Sequence, residues 1–279
     1  MNEPMNILCI GAHPDDCDLK LGGLAILWAR LGHRVRFVSL CNGDAGHFRM
    51  GGGPLAQRRY QETQRSAAVA ARGAKGTVEY LVMDTHDCQL MPTLEQRGLV
   101  IRLIREFHAD LVITNRPNDY MADHRYASQL VQDAAYIVTV PNVEALTPHL
   151  NYNPTFAYWG DDFKRPYPFS PDVAVSIDEV LEQKFDMLHC HESQMYEWLP
   201  YNMNILDQVP QGDAERRAWL PRLWLGDMER EAERSREVLA RLYGRERASR
   251  IRCAEALEFS EYGSPLSESA YARLFPFFA

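Results

Sequence analysis

The chain has 279 residues, 46% hydrophobic and 24% charged, an ordinary globular balance that excludes disordered, collagen-like and coiled-coil readings. Its 30 basic and 38 acidic residues leave a formal charge of -8, which repels polyanions and argues against a nucleic-acid partner. The opening MNEPMNILCIGAHPDD lacks a basic leader, and no stretch approaches the ~18 to 20 apolar residues of a membrane helix, so a cytoplasmic protein with no membrane partner is expected.

Short apolar, β-branched runs alternate with segments of helical period from Ile7 to Leu150. Asn6 to Gly11 reads as the first strand, followed by a polar loop and a helix over Gly22 to Leu31. Val35 to Leu40 is the second strand, and the Gly-rich loop Gly51 to Pro54 leads into a helix from Leu55 to Arg72. Val78 to Met83, a helix over Thr93 to Phe107, Leu111 to Thr114 and a helix from His124 to Val138 continue the pattern. Residues 141–171, rich in Pro and aromatic side chains, read as a lid, an oligomer contact or a plain connector. Asp172 to Ile177 is a strand, Asp178 to Cys190 a helix, and Glu215 to Tyr243 a solvated Arg/Glu-rich helix. The expected architecture is a single α/β domain over 1–279: a Rossmann-like three-layer fold, with a mostly parallel central sheet, helices on both faces and a helical C-terminal extension over 200–279.

Six scattered cysteines without a CxxC pair favour buried free thiols over a disulfide framework or a cysteine-only zinc site. The chemistry gathers instead at strand ends, where open parallel sheets bind ligands. Three polar clusters fall there: His13 to Asp18, Asn42 to His47, and Asn115 to His124. The turn Ala12-His13-Pro14-Asp15-Asp16 stands where a dinucleotide-binding protein would show GxGxxG. An imidazole and two carboxylates repel phosphate and suit a cation, which sets aside a nucleotide-dependent oxidoreductase. Taken singly, the Asp pair could cap a helix and Asp123-His124 could be a surface pair; two such clusters at matching strand ends favour a shared divalent metal. Catalytic sites of this kind use three protein ligands and an open position for water. His13, Asp16 and His124 fit as ligands, with Asp123 or Asp119 orienting a neighbouring imidazole.

These residues resemble the LmbE-like or PIG-L-like de-N-acetylases, zinc-dependent enzymes that remove acetyl groups from N-acetylglucosamine-type substrates. The resemblance spans roughly the first two thirds of the chain. It is anchored by Ala-His-Pro-Asp-Asp followed by Gly22-Gly23, and supported by Asn42-Gly43-Asp44, Arg59-x-x-Glu62, Asp123-His124 and His191-x-Ser193-Gln194 after Lys184. It implies that His13, Asp16 and His124 are zinc ligands, Asp15 the general base on a water activated by the metal, and Asp123 a catalytic support. Ferrous iron would suit the same ligand set. Arg59 and Asp87 resemble substrate-contacting positions, with an ion pair to Glu62 and a turn carboxylate as the plainer alternatives. Asp44, Tyr120 and His191 complete the set of candidate substrate-binding residues; Asp44 also fits a simple turn, and His191 a helix cap. The implied partner is a small N-acetyl amino sugar or conjugate; homo-oligomerisation is compatible with the sequence and not specified by it.

One departure stands out. The family commonly has His-Pro-Asp-His where this chain has Met121-Ala122-Asp123-His124. A thioether has no proton to donate, and loss of one oxyanion donor typically costs ~10²- to 10³-fold in rate. Either Tyr120, His86, His47 or His191 substitutes, or the chain is a metal-containing sugar-binding or regulatory protein with weakened catalysis. Retention of Asp15 favours an enzyme.

Overall fold

The computed structural model describes residues 3–278. Seven strands form one sheet in the order β3-β2-β1-β4-β5-β7-β6. They span Asn6–Gly11 (β1), Arg34–Cys41 (β2), Thr77–Thr85 (β3), Leu111–Thr114 (β4), Thr155–Trp159 (β5), Val173–Ser176 (β6) and Ala254–Phe259 (β7). Strands β1 to β5 are mutually parallel, and β7 runs antiparallel between β5 and β6. The helices that build the faces are Asp16–Leu31 (α1), Gly53–Ala70 (α2), Leu94–Phe107 (α3), Ala122–Ala134 (α4) and Leu181–His189 (α5).

Strand β1 shows why two layers of helix are needed. Its run Asn6-Ile-Leu-Cys-Ile-Gly11 is apolar on both faces, the signature of a strand covered on both sides. Because side chains alternate, Ile7 and Cys9 join a core with Leu24 and Trp28 of α1, whereas Leu8 and Ile10 join a separate core with Ile101 of α3 and Leu130 of α4. Register places Ile10 beside Thr114 of β4, so the turns after β1 and β4 emerge as neighbours. The chain departs from β1 toward β2 on one side and reaches β4 on the other, which opens a crevice between those two turns.

Three expectations are corrected. Residues 141–171, read as irregular, contain β5, which pairs with β4 through Leu111↔Thr155 to Thr114↔Tyr158. Thr-Phe-Ala-Tyr-Trp is buried throughout, so it carries no alternation to set it apart from the surrounding aromatics. The region 200–279, read as a helical extension, contributes β7 to the sheet. Its sequence, Ala-Glu-Ala-Leu-Glu-Phe, consists mostly of strong helix formers, and pairing with β5 and β6 overrides that propensity. A short helix, Leu199–Asn202 (α6), precedes the long helix expected over Glu215 to Tyr243, which is broken into Asp213–Trp219 (α7), Pro221–Arg234 (α8) and Arg236–Tyr243 (α9), with Pro221 starting α8 where a missing N–H is harmless. Short helices Arg245–Ala248 (α10) and Glu268–Leu274 (α11) flank β7. All six cysteines are free. No helix among the described residues is long and apolar enough to cross a membrane.

Candidate active site

Gly11 ends β1, and the chain turns through Ala12 to Asp15 before α1 begins at Asp16. Asp16 folds back over this turn: its Oδ2 accepts from the amides of Ala12 at 2.8 Å and His13 at 3.0 Å. A side chain on Gly11 would lie 2.7 Å from the Asp16 Cβ, so only glycine leaves room for that return. Oδ1 faces His124, 3.5 Å from its Nε2, and Oδ2 lies 3.9 Å from His13 Nδ1. Asp15, although it stands at the N-cap position, makes no capping hydrogen bond.

The second cluster follows β4. His124 lies in the first turn of α4, and its Nδ1 is 3.1 Å from Asp119 Oδ1. Asp123, fully buried beside it, receives His13 Nε2 at 3.2 Å and the Cys88 amide at 2.6 Å. Burial pushes the Asp123 carboxyl up, but these hydrogen bonds outweigh it and hold the group below the usual carboxylate range. Each imidazole therefore has one nitrogen fixed by a carboxylate, which turns its other nitrogen inward.

Those inward nitrogens, His13 Nδ1 and His124 Nε2, are 3.1 Å apart, and Asp16 Oδ1 is 3.5 Å from His124 Nε2. Ligands at ~2.0 to 2.1 Å in a tetrahedron stand roughly 3.3 Å from one another, so this spacing suits one ion. The donor atoms of His13, Asp16 and His124 lie within 4.8 Å of one another. The surrounding carboxylates Asp16 and Asp119 overcome burial and push His124 up to about 9, the same field that attracts a cation. A second grouping, His13 with Cys41 and Asp87, meets the same distance test. It fits a metal poorly: Asp123 occupies His13 Nε2, and burial first, then Asp123, raises the Cys41 thiol far above its ordinary range.

Asp15 is joined to α2. Arg59 donates Nη2 to Asp15 Oδ1 at 2.9 Å, and its Nη1 lies 3.7 Å from Asp87 Oδ2. Burial raises the Asp15 carboxyl, Arg59 draws it down and Asp16 raises it again, leaving it above its ordinary value, as suits a base. Asp87 in turn accepts from the Gly43 amide at 2.9 Å and the Ala45 amide at 3.3 Å. Gly43 has φ of +81°, and a side chain there would meet Arg59 Cδ at 2.6 Å, so glycine serves both backbone and packing. Glu62 does not pair with Arg59; it accepts from Ser193 and lies 3.3 Å from Arg58 Nε.

These groups open on a cavity of about 530 Å³. His13, Asp15, Asp16, His124, Arg59, Asp87 and Tyr120 line it. Tyr120 is 78% exposed and meets His124 edge-on at 5.8 Å. Met121 lines the cavity as the N-cap residue of α4. Asp44 and His191 are not brought to the wall. Asp44 sits behind Asp87, binding its amide at 3.1 Å and the His86 ring, and His191 is fully buried with Nε2 3.2 Å from Asp18. Gln194 reaches the cavity, as do Trp159, Phe163, Trp198 and Trp224. The aromatic richness of 141–171 signalled the first pair; nothing in the helical pattern of α8 marked Trp224.

The family described as PIG-L, GlcNAc-PI de-N-acetylase, matches residues 8–135. The chain is 30% identical to the diacetylchitobiose deacetylase of Thermococcus kodakarensis over 221 residues, covering 72% of this chain and 78% of that protein. Among solved structures, N,N'-diacetylchitobiose deacetylase from Pyrococcus horikoshii shares the fold with a TM-score of 0.68 at 20% identity, over 92% of this chain and 84% of that one. The 4-carboxy-2-hydroxymuconate hydratase of Pseudomonas putida does so with a TM-score of 0.69 at 18% identity, over 95% and 98%. The fold thus accommodates proteins named for two reactions, and the family assignment rests on the sequence match together with the strand-end residues. On that basis the chain belongs to the PIG-L family of LmbE-like deacetylases.

Proposed function

We propose that the protein is a metal-dependent amidohydrolase that removes an acetyl or similar acyl group from the amine of an N-acetylated amino sugar or conjugate. The carrying observation is the pair of carboxylate-backed imidazoles facing the Asp16 carboxylate, with the Arg59-held Asp15 carboxylate lining the same cavity. His13, Asp16 and His124 would hold zinc, or ferrous iron, which the same donor set serves. When bound, such an ion acidifies water and polarises an amide carbonyl. Asp15 takes the proton from the attacking water and returns it to the leaving amine nitrogen; Arg59 fixes its Oδ1 and leaves Oδ2 for that proton. Asp123 and Asp119 hold the imidazoles in the tautomers that keep a lone pair inward.

The cavity wall supports a substrate without strong negative charge. Asp15, Asp16, Asp87, Asp119, Asp161 and Asp162 oppose only Lys20 and Arg59 among the charged lining side chains, and Arg59 is already paired. A polycarboxylate would meet repulsion there, whereas a neutral sugar amide meets hydrogen-bond acceptors.

Acetate release measured across a panel of N-acetyl sugars, with metal content determined on the same sample, tests the proposal. Chelation should abolish release, added zinc restore it, and Asp15→Asn lower kcat by about 10²- to 10⁴-fold. Activity indifferent to chelation, or retained by Asp15→Asn, would overturn it. Met121 on the cavity wall favours a second reading, a metal-containing sugar-binding or regulatory protein. Calorimetric sugar binding with no acetate released at high protein concentration would select that one.

A further inference from the structure

Residues 161–170 lead from β5 toward β6 without forming a helix or strand. Asp161 is the buried residue among them and 164–168 are exposed, so apolar burial does not hold this segment in place. Yet Asp161, Asp162 and Phe163 line the catalytic cavity, and the Phe163 ring stands 6.2 Å from that of Tyr120, which meets His124. A wall built from irregular chain needs an anchor outside itself, because its ordering entropy is not offset by packing of its own.

That anchor is Arg116, two residues beyond β4 and 1% exposed, beneath the segment and outside the cavity lining. Its Nη1 donates to Asp161 Oδ1 at 2.8 Å and to the Phe163 carbonyl at 3.2 Å, and its Nη2 to the Tyr167 carbonyl at 2.8 Å. Asp161 Oδ1 also accepts from the Phe163 amide at 2.9 Å, so the carboxylate held by Arg116 closes the turn that delivers Phe163. The rings of Tyr167 and Phe169 lie 5.1 and 5.8 Å from the guanidinium carbon, and Glu258 Oε2 of β7 is 3.5 Å from Nε. One planar fork thus engages the segment from Asp161 to Phe169, which the point charge of a lysine does not reproduce. Arg234 of α8 adds an outer hold on the Asp161 carbonyl, on Asp162 at 3.0 Å and on the Phe169 ring, but on neither the Phe163 nor the Tyr167 carbonyl.

We infer that Arg116 is a positioning residue for substrate binding: it fixes residues 161–169 as a rigid wall of the cavity, and substrate affinity depends on it although it touches neither substrate nor metal. Of the roles the sequence leaves open for 141–171, this gives 161–169 to the site. The effect on substrate rests on the deacetylase reading of the cavity; the hold on the segment does not.

Three measurements on Arg116→Met and Arg116→Lys proteins test this. Trypsin can cut the segment at the Lys164–Arg165 bond, whereas Pro166 protects the bond after Arg165. Cleavage there, followed by mass spectrometry, should be at least about tenfold faster in Arg116→Met than in the unmodified protein, because proteolysis follows the population of the released segment. KM for acetate release from N-acetylglucosamine should rise about 10- to 100-fold with kcat within about twofold, the signature of lost binding rather than lost chemistry. Calorimetric zinc affinity should be unchanged. Arg116→Lys, which keeps a charge beside Asp161 and guards against misfolding of the methionine variant, should fall between. Phe163→Ala should raise KM in the unmodified protein and add little to Arg116→Met, since both act through one wall.

Unchanged cleavage in both variants, an unchanged KM, or kcat and zinc affinity falling in step with KM would overturn the inference. If the unmodified protein releases no acetate, the hydrolase reading falls while the trypsin result stands; calorimetric binding of N-acetylglucosamine then replaces KM, and no binding would count against the inference.

Discussion

His13 Nδ1 and His124 Nε2 stand 3.1 Å apart although 111 residues separate them in the chain. Asp123 and Asp119 hold the opposite nitrogens, so the close approach presents two lone pairs to one point. Without a cation or a proton between them that arrangement is repulsive, and a bound metal should stabilise the fold. Removing the metal should lower the melting temperature, by an amount that grows with the ratio of metal concentration to Kd in the reference sample. Asp123→Asn, which weakens the hold on His13, should reduce metal affinity by about 10- to 100-fold. Metal titration monitored by calorimetry checks both, and an unchanged affinity would remove Asp123 from this role.

Met121 occupies the cavity wall at the start of α4, one turn before the imidazole of His124 turns inward. If the reaction lacks a donor at this point, Met121→His should raise kcat by up to about 10²-fold. Steady-state acetate release at saturating substrate measures it. An unchanged kcat means that another side chain already supplies the donor, with Tyr120 the exposed phenol closest to hand.

The Lys184–Glu255 pair is buried between α5 and β7, and Glu255 also receives the Gly23 and Leu24 amides of α1 at 2.8 and 2.7 Å. Lys184→Met leaves that carboxylate buried without its cation and should destabilise the protein by about 3 to 5 kcal/mol. Adding Glu255→Gln should recover part of the loss. Urea midpoints of the two single variants and the double variant test this; strict additivity would show that the two side chains are not coupled.

His33 ties three segments together as a neutral ring. Its Nδ1 accepts from the Met5 amide at 3.2 Å, and its Nε2 donates to the Arg273 carbonyl at 2.9 Å. Burial lowers its pKa below 6.5; the hydrogen bond to the Arg273 carbonyl opposes this, the Arg273 charge adds to it and Asp110 opposes it, and burial prevails. Between the folded and unfolded pKa values the unfolded chain binds more protons, so stability rises with pH. The contribution of His33 is complete above the unfolded value and is lost as pH falls through the folded one. The urea-midpoint advantage of the unmodified protein over His33→Gln should accordingly shrink from pH 8 to pH 5. An advantage that grows on acidification would reverse the sign and sink the assignment.

Much of the parallel half of the sheet was legible because its signals are local. Apolar runs of strand length gave β1 to β4, and helical periodicity gave α2 and α3, with boundaries shifted by a few residues. The meeting of His13, Asp16 and His124 was legible for a related reason: the first two follow one strand, and the third lies just beyond another, where the topology of parallel sheets converges. Strands β5 and β7 were hidden by their own composition, one buried on all sides and the other written in helix-forming residues. Glu255 illustrates the limit: a carboxylate in a strand looks solvated until Lys184, 71 residues earlier, neutralises it.

The sequence by itself determined which chemistry the strand ends could support, since imidazoles and carboxylates at these turns suit a cation and repel a phosphate. Only the tertiary structure decided the division of labour among them. It turned Arg59 onto Asp15, withdrew His191 and Asp44 from the wall, and brought Trp224 from a distant helix to the cavity. The physical reason is that donor type is a property of each residue, whereas which groups are desolvated, paired or left facing a cavity depends on packing between segments far apart in the chain.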